Sequence, residues 1–542
     1  MDDIIRHRHK SALVRMHHND LATEYRVKSA PLLPKANNQT LVEYPEYSGS
    51  PGHIGDVLSG GAEKKADHDS SPPILPRAQF VKLMIGMGFG TAIEWYDFSI
   101  FSGLSSPIMA TFFPTTDPSL QNLYFWAVFA AAFVARPVGS LLFGHLADTW
   151  SRKGALISSI LVMGVPSVLI GCLPSYSTAG LAAPVLLALL RMIQGLAMGG
   201  EFGTAVMYVA EVSPPGQQGR NGATIFSSAL VGMLVGDALV MLLVGTLNTS
   251  QLNQWGWRVP FLLVVLTSFL SLLLRMGMPE PPELVSAHAM QNTSSATGEI
   301  IMDVPAAVNV IKRFPVTRLI TEHLPTVVLQ IFFEFWFSVA FYSSTSWWPS
   351  YFRSNGISNL NSQAMALVVL IPCASTMYIM GIAADRGARC IWSMLVISLF
   401  GAGIAVASCA MAVARPGDLG SNWAMLAIQM AVIGPGGGIV PVVGLGLYPA
   451  EVRASGFNFA HNVAMGLLGG LTPMTVTAIQ TGGLVATKGA GAVYAAGIWV
   501  SAGAVATVIG SVGLLWLRPH ADFTLEVWTQ RCQKASSADT KA

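Results

Sequence analysis

The chain has 542 residues, 52% of them hydrophobic and 11% charged, with a formal net charge of +2; a soluble domain carries about 25% charged residues. Too little polar surface remains for a soluble protein of several domains. The mixed charge argues against a nucleic-acid partner, and the scattered Cys172, Cys373, Cys390, Cys409 and Cys532 form neither a disulfide framework nor a zinc site.

Residues 1–79 are polar and rich in His, Pro, Ser and charge, which predicts a disordered cytosolic tail. No apolar run follows the start, and Asp2 and Asp3 do not fit an organellar transit peptide. The first hydrophobic helix is therefore expected to direct insertion itself.

Beyond the tail the charges lie far apart, with none in 154–190, 354–384, 419–450, 454–487 or 489–517. A spanning helix needs about 20 mostly apolar residues. Twelve are predicted, at 80–105, 122–146, 154–173, 180–210, 221–246, 257–277, 322–350, 363–384, 391–413, 421–448, 455–480 and 491–517. This is an all-α polytopic membrane protein, divided six and six. An N-terminal bundle (80–277) and a C-terminal bundle (322–517) flank a polar linker at 278–321, and 518–542 is a cytosolic tail. One set of loops holds Arg152, Lys153, Arg220, Lys312, Arg313, Arg318, Arg386, Arg389 and Arg453, while the alternating loops are poor in Lys and Arg. The basic set is expected in the cytosol, and with it both termini; the plasma membrane is the default location.

An internal repeat supports the division. Gly144-His-Leu-Ala-Asp148-Thr-Trp-Ser-Arg152-Lys153 follows the second predicted helix, and Gly381-Ile-Ala-Ala-Asp385-Arg386-Gly-Ala-Arg389 follows the eighth. Ala-Glu-Val closes the fourth helix at 210–212 and the tenth at 450–452. Repeated six-helix halves with a solute site between them are a transporter plan.

A charge at mid-membrane costs at least about 2.5 kcal/mol, so those within the predicted spans need a reason: Glu94, Asp97, Arg136, Arg191, Glu201, Asp237 and Glu334, with the neutral-capable His461. Glu94 and Asp97 share a helix face and cannot both ionise easily in low dielectric, which suits a proton carrier. The other reading is that one pairs permanently with Arg136 or caps a backbone break near Gly88 and Gly90. Arg136 and Arg191, the latter on a face with Gln194, Met198 and Glu201, could each grip a carboxylate substrate or hold a fixed salt bridge to Asp97 or Glu201. Gly195, Gly199 and Gly203 make a stripe for close packing. Asp237 and Glu334 read either as a pore-facing pair or as substrate contacts. Trp347, Trp348 and Tyr351 read as an interfacial aromatic belt or a pore gate. Gly434-Pro-Gly-Gly-Gly438 reads as a hinge in the tenth helix. With no nucleophile–base pair, metal cluster or phosphate loop, neither an enzyme nor a cofactor is expected.

Five motifs follow in order: Gly90-Thr-Ala-Ile-Glu94-Trp95-Tyr96-Asp97-Phe98, Arg136-Pro137-Val-Gly139, Arg191-Met-Ile-Gln194-Gly195, Trp255-Gly256-Trp257-Arg258-Val-Pro260-Phe261 and Tyr448-Pro449-Ala-Glu-Val-Arg453-Ala-Ser-Gly456, followed by Asn462. Together they resemble the major facilitator superfamily and, within it, the metabolite:proton symporters. The resemblance implies two rocking bundles and proton-driven symport of a small organic acid or zwitterion by a monomer. Carried over by position, Glu94, Asp97 and Glu201 are proton-coupling candidates. Arg136, Arg191, Gln194, Tyr96, Asp237, Glu334 and Asn462 are candidates for substrate contact or a charge network. Asp148, Arg152, Lys153, Asp385, Arg386 and Arg389 are candidates for a cytosolic gate. Thr149, Ser151 and Cys390 depart from the superfamily loop and imply a weaker latch. A uniporter of a neutral solute such as sugar, and a non-transporting nutrient sensor, stay open as alternatives.

Overall fold

The computed structural model describes residues 76–149, 151–214, 216–276, 315–415, 417–449, 452–481 and 490–517; the predicted tails and most of the linker lie outside them. Twelve long helices run through the described residues: α1 (Arg77–Gly103), α2 (Pro118–Thr149), α3 (Arg152–Cys172), α4 (Ala182–Val212), α5 (Gln218–Thr246), α6 (Arg258–Met276), α7 (Leu324–Arg353), α8 (Asn359–Asp385), α9 (Cys390–Ala414), α10 (Leu419–Leu447), α11 (Arg453–Ile479) and α12 (Ala490–Leu517). Eleven are long and apolar enough to cross a membrane. At 27 residues α1 is also long enough, since each residue adds about 1.5 Å, but Glu94, Asp97 and the polar residues beside them lower its apolarity. The chain is a multi-pass integral membrane protein of the predicted class.

The packing repeats after six helices. α1 lies on α5, α2 on α4 and α3 on α6; α7 lies on α11, α8 on α10 and α9 on α12. Among the described residues the halves meet along α2 with α11 and α5 with α8, which the repeat relates to each other, and also where α10 meets α5 and α11 meets α4.

Lipid offers apolar side chains no drive to leave it, so close backbone approach holds such helices together. A side chain at Gly195 would meet the backbone of Ala132, one at Gly199 that of Arg136, and one at Gly139 that of Leu196. The α2–α4 crossing is thus glycine against backbone on both sides. The glycines of α10 are used likewise: Gly434 abuts Cys373, Gly436 abuts Phe337, and Gly438 abuts Met377. The helix runs unbroken from Leu419 to Leu447 through Pro435 and Pro441. The expected hinge is therefore a tightly packed crossing.

Gly139→Val should lower the melting temperature in detergent sharply, because its methyls meet a backbone carbonyl that cannot turn aside; overpacking costs about 1–3 kcal/mol. Gly403→Ala on α9, where the added atom meets open space, is the control and should leave melting unchanged.

The predicted aromatic belt is also corrected. Trp347 and Trp348 are only 3% and 2% exposed, and their rings contact each other and Tyr351 inside the protein. α7 reaches them through a π-helical turn, Ser343–Trp347, which the helical period alone does not announce, and continues as α-helix from Trp348.

Candidate functional site

The charges that the membrane makes costly are gathered into ion pairs. On α1, Asp97 accepts from Arg191 Nη1 at 3.0 Å, from Ser167 Oγ at 2.7 Å and from Gln194 Nε2 at 3.0 and 3.1 Å. Arg191 Nη1 also donates to Gln194 Oε1 at 2.9 Å, and its guanidinium lies 4.2 Å from the Phe101 ring centre. Three helices (α1, α3 and α4) thus converge on one carboxylate and satisfy it fully. One turn away, Glu94 pairs with Arg136 Nη2 at a looser 3.4 Å. Glu94 Oε2 and Arg136 Nε are buried with no hydrogen-bond partner.

That looser pair lies where the halves meet. Tyr342 of α7 is fully buried with its hydroxyl unpartnered, as is the indole nitrogen of Trp95. The two rings stack at 6.3 Å, and Phe98, Phe133 and Phe341 close around Tyr342 at 5.3–5.7 Å. Both Arg136 and Glu94 act electrostatically on the Tyr342 hydroxyl. Gly466 and Gly469 of α11 leave room for the Arg136 stem and the Tyr342 ring. Orphaned donors and acceptors are rare in a native interior. Four of those among the described residues gather here, beside opposite charges and inside an aromatic wall, which makes this place a candidate solute site.

Other candidates fall elsewhere. Glu201 pairs with Arg275 Nη2 at 2.7 Å and accepts from Ser159 Oγ at 3.1 Å, tying α4, α6 and α3 together within one half. Arg275 also donates to Leu156 O, and Gly90 leaves the space its guanidinium fills; Gly90 is thus a packing position, with α1 helical through it. Tyr96 donates to Pro260 O at 2.9 Å and so braces α6 instead of joining the charges. Asp237 and Glu334 do not pair. Asp237 has Arg353 as the cation acting on it, and Glu334 holds His461 Nδ1 at 2.6 Å. Asn462 donates to Gly199 O at 2.7 Å across the α11–α4 contact.

At the predicted cytosolic end, Asp385 accepts from the backbone of Gly219 and Arg220 at 2.6 and 3.0 Å, where a carboxylate complements a helix N-terminus. This contact joins α8 to α5. Glu211 accepts from Arg152 at 3.4 Å and Arg453 at 3.3 Å, bridging the halves. Lys153 donates to Met276 O at 2.7 Å, closing the end of α6. Arg386 and Arg389 follow in the turn and make no ion pair among the described residues. Asp148 lies in α2, with its side chain outside the described residues. Ser151, expected to weaken the loop, caps α3 by accepting from Gly154 N at 2.8 Å. At the opposite end Gln363 donates to Gly103 O at 3.1 Å, so the halves touch there too.

Sequence reasoning missed Tyr342, Ser167, Arg275 and the bridging role of Glu211. Arg275 was legible as one more cation near the end of a spanning helix. Tyr342 carries no local signal.

Residues 83–304 match the family model described as "Sugar (and other) transporter". The inner membrane metabolite transport protein YhjE of Escherichia coli (strain K12) is 31% identical over 443 residues, covering 79% of this chain and 92% of that one. The proline/betaine transporter of Salmonella typhimurium is 28% identical over 402 residues, 74% of this chain and 78% of its own. Among solved structures, the proton:xylose symporter XylE superposes with a TM-score of 0.65 at 17% identity, over 84% of this chain and 99% of that one.

Proposed function

The chain belongs to the major facilitator superfamily, among its metabolite transporters, and from that premise we propose that it is a proton-coupled symporter of a small zwitterion or organic acid, working as a monomer by alternating access. The observation that carries this reading is the Glu94–Arg136 pair with its free atoms, set in the aromatic wall of Trp95, Phe98, Phe133, Phe341 and Tyr342 between the halves. A substrate carboxylate docks on Arg136, whose fork suits it. An ammonium group, where the substrate has one, rests between Glu94 and the ring faces of Trp95 and Tyr342, as quaternary ammonium ions do in aromatic cages. Asp97, one turn from that pair, carries the coupled proton. Its protonation releases Arg191, so the two α1 carboxylates divide the work, one for solute and one for proton. The contacts of Asp385 and Glu211 at one end, and of Gln363 at the other, part in turn as the halves rock.

The relative that transports proline and betaine supports the zwitterion arm. Neutral sugar uptake is the competing reading, and a sugar leaves the Arg136 charge unmatched.

The test is uptake of radiolabelled betaine, proline, 2-oxoglutarate and xylose into proteoliposomes at two external pH values. Faster uptake of betaine, proline or 2-oxoglutarate at the acid pH is expected, with no competition by xylose. Uptake of xylose alone would overturn the assignment.

A further inference from the structure

Among the described residues, three buried ion pairs within the spanning helices use arginine: Glu94–Arg136, Asp97–Arg191 and Glu201–Arg275; a fourth does not. Arginine keeps its charge at every attainable pH. The fourth, Glu334–His461, is different in kind, because its nitrogen partner is an imidazole, a group that exists both neutral and protonated.

Its setting gives that change something to act on. His461 Nδ1 faces Glu334 Oε2 at 2.6 Å, and the pair is 3% and 1% exposed. Gln330 Nε2 donates to Glu334 Oε1 at 2.7 Å, and Tyr448 OH donates to Gln330 Oε1 at 2.7 Å, so the carboxylate is held from its far side within the C-terminal half. The imidazole itself is sandwiched. Phe457 of its own helix lies nearly parallel at 5.5 Å and 6°, and Phe202 of α4 lies on it at 5.2 Å and 27°. Phe226 of α5 meets it edge-on at 5.8 Å. Glu334 and His461 therefore belong to one half, while two of the three rings around the imidazole belong to the other. Beside it, Asn458 donates to Thr204 and Asn462 to Gly199, both across the same contact. A π-helical stretch, Asn462–Gly469, begins at the next residue; such stretches often mark functional positions.

Other charged or titratable groups stand on the surrounding elements, among them His145 on α2 and the exposed Arg318–Glu322 pair ahead of α7. Arg136 of α2 holds Glu94, Glu201 of α4 holds Arg275, and Glu211 of α4 holds Arg152 and Arg453. Arg220 lies in the first turn of α5, and Asp237 further along it is acted on by Arg353. His323, ahead of α7, lies against Tyr448.

We propose that His461 and Glu334 form a second proton-binding site, in the C-terminal half, whose protonation tightens the contact of α11 with α4 and α5. The Nδ1 proton is shared with Glu334. The proton taken up from water binds Nε2 and turns a neutral ring beside a carboxylate into an imidazolium–carboxylate pair. An imidazolium between Phe202 and Phe457 is attracted to both ring faces, which a neutral imidazole is not. Acid then favours the closed state of this seam, and loss of the proton loosens it. The inference rests on the alternating-access reading and on no particular substrate.

The test uses the full chain in lipid nanodiscs without substrate. Cys172 and Cys532 are replaced by serine, and spin labels are placed at Thr224 on α5 and Arg389 ahead of α9. Distance distributions are compared between about pH 5 and about pH 8. The short-distance population should fall several-fold on going to the higher pH. His461→Gln should remove that dependence, and His461→Arg, a fixed cation, should hold the short distance at both values. Should His461→Gln not fold, Phe202→Leu keeps the titrating pair, removes the ring and must also flatten the response. A wild-type distribution that ignores pH, or a His461→Gln profile that still follows it, overturns the proposal. Labels that move on adding a transported solute, yet ignore pH, would do so while leaving the alternating-access reading intact.

Discussion

Replacing Asp97 with asparagine should abolish accumulation driven by a proton gradient while sparing solute exchange between compartments of equal pH. Asparagine has nearly the same shape, and its carbonyl can still accept from Arg191 Nη1 or Ser167 Oγ, which reach Asp97 at 3.0 and 2.7 Å. What it lacks is a proton to load and release. Uptake with acid outside should fall to the rate seen without a gradient, a complete loss of drive with the carrier still assembled. The substitution also strands a buried guanidinium. Breaking a buried pair from one side costs about 3–5 kcal/mol, although Gln194 Oε1 at 2.9 Å and the Phe101 ring stay with Arg191. The variant should therefore melt several degrees lower. Asp97→Asn/Arg191→Gln should melt closer to wild type and remain uncoupled. Gradient-driven uptake that survives in Asp97→Asn would move the coupling proton elsewhere.

Arg136→Gln should eliminate measurable high-affinity uptake and destabilise the protein at once. The guanidinium is 3% exposed and is the partner of a fully buried Glu94, so removing it leaves a lone carboxylate in low dielectric at a cost of about 3–5 kcal/mol. The double variant Glu94→Gln/Arg136→Gln replaces both charges with neutral amides that can bond to each other and should recover most of the melting temperature. It should not recover transport, because the group that receives the substrate carboxylate is gone. Stability restored without function separates a binding site from a structural bridge. A double variant that transports normally would assign the pair to structure alone.

Much of the fold could be read directly from the chain. Long gaps between charges are a membrane requirement, and the twelve predicted spans overlap the twelve observed helices. The repeated motifs carry Asp148 and Asp385 at the ends of α2 and α8, which the packing relates by six helices. Which residues pay attention to each other was far less legible. Arg136 meets Glu94 across 42 positions and Arg275 meets Glu201 across 74. Such partners depend on how helices rotate about their axes, and an all-round apolar helix has little amphipathic signal to set that rotation. Asp237 and Glu334, each without a partner nearby in sequence, do not meet: the Arg353 charge acts on one, and His461 holds the other. The tryptophans of α7 misled for a related reason: aromatic residues near a helix end suit a lipid interface and a buried stack equally well. Tyr342 is one aromatic among many in the sequence. Only the packing of α7 against α1 and α2 sets its hydroxyl beside an ion pair.

The central claim is that solute and proton move together through one carrier. It is tested most directly by reconstituting the protein in liposomes loaded with a pH-sensitive dye, with no gradient imposed, and adding outside whichever solute the uptake panel selects. Acidification of the lumen is expected on addition, and none in liposomes carrying Asp97→Asn. Solute that enters wild-type liposomes with no change in internal pH would contradict it.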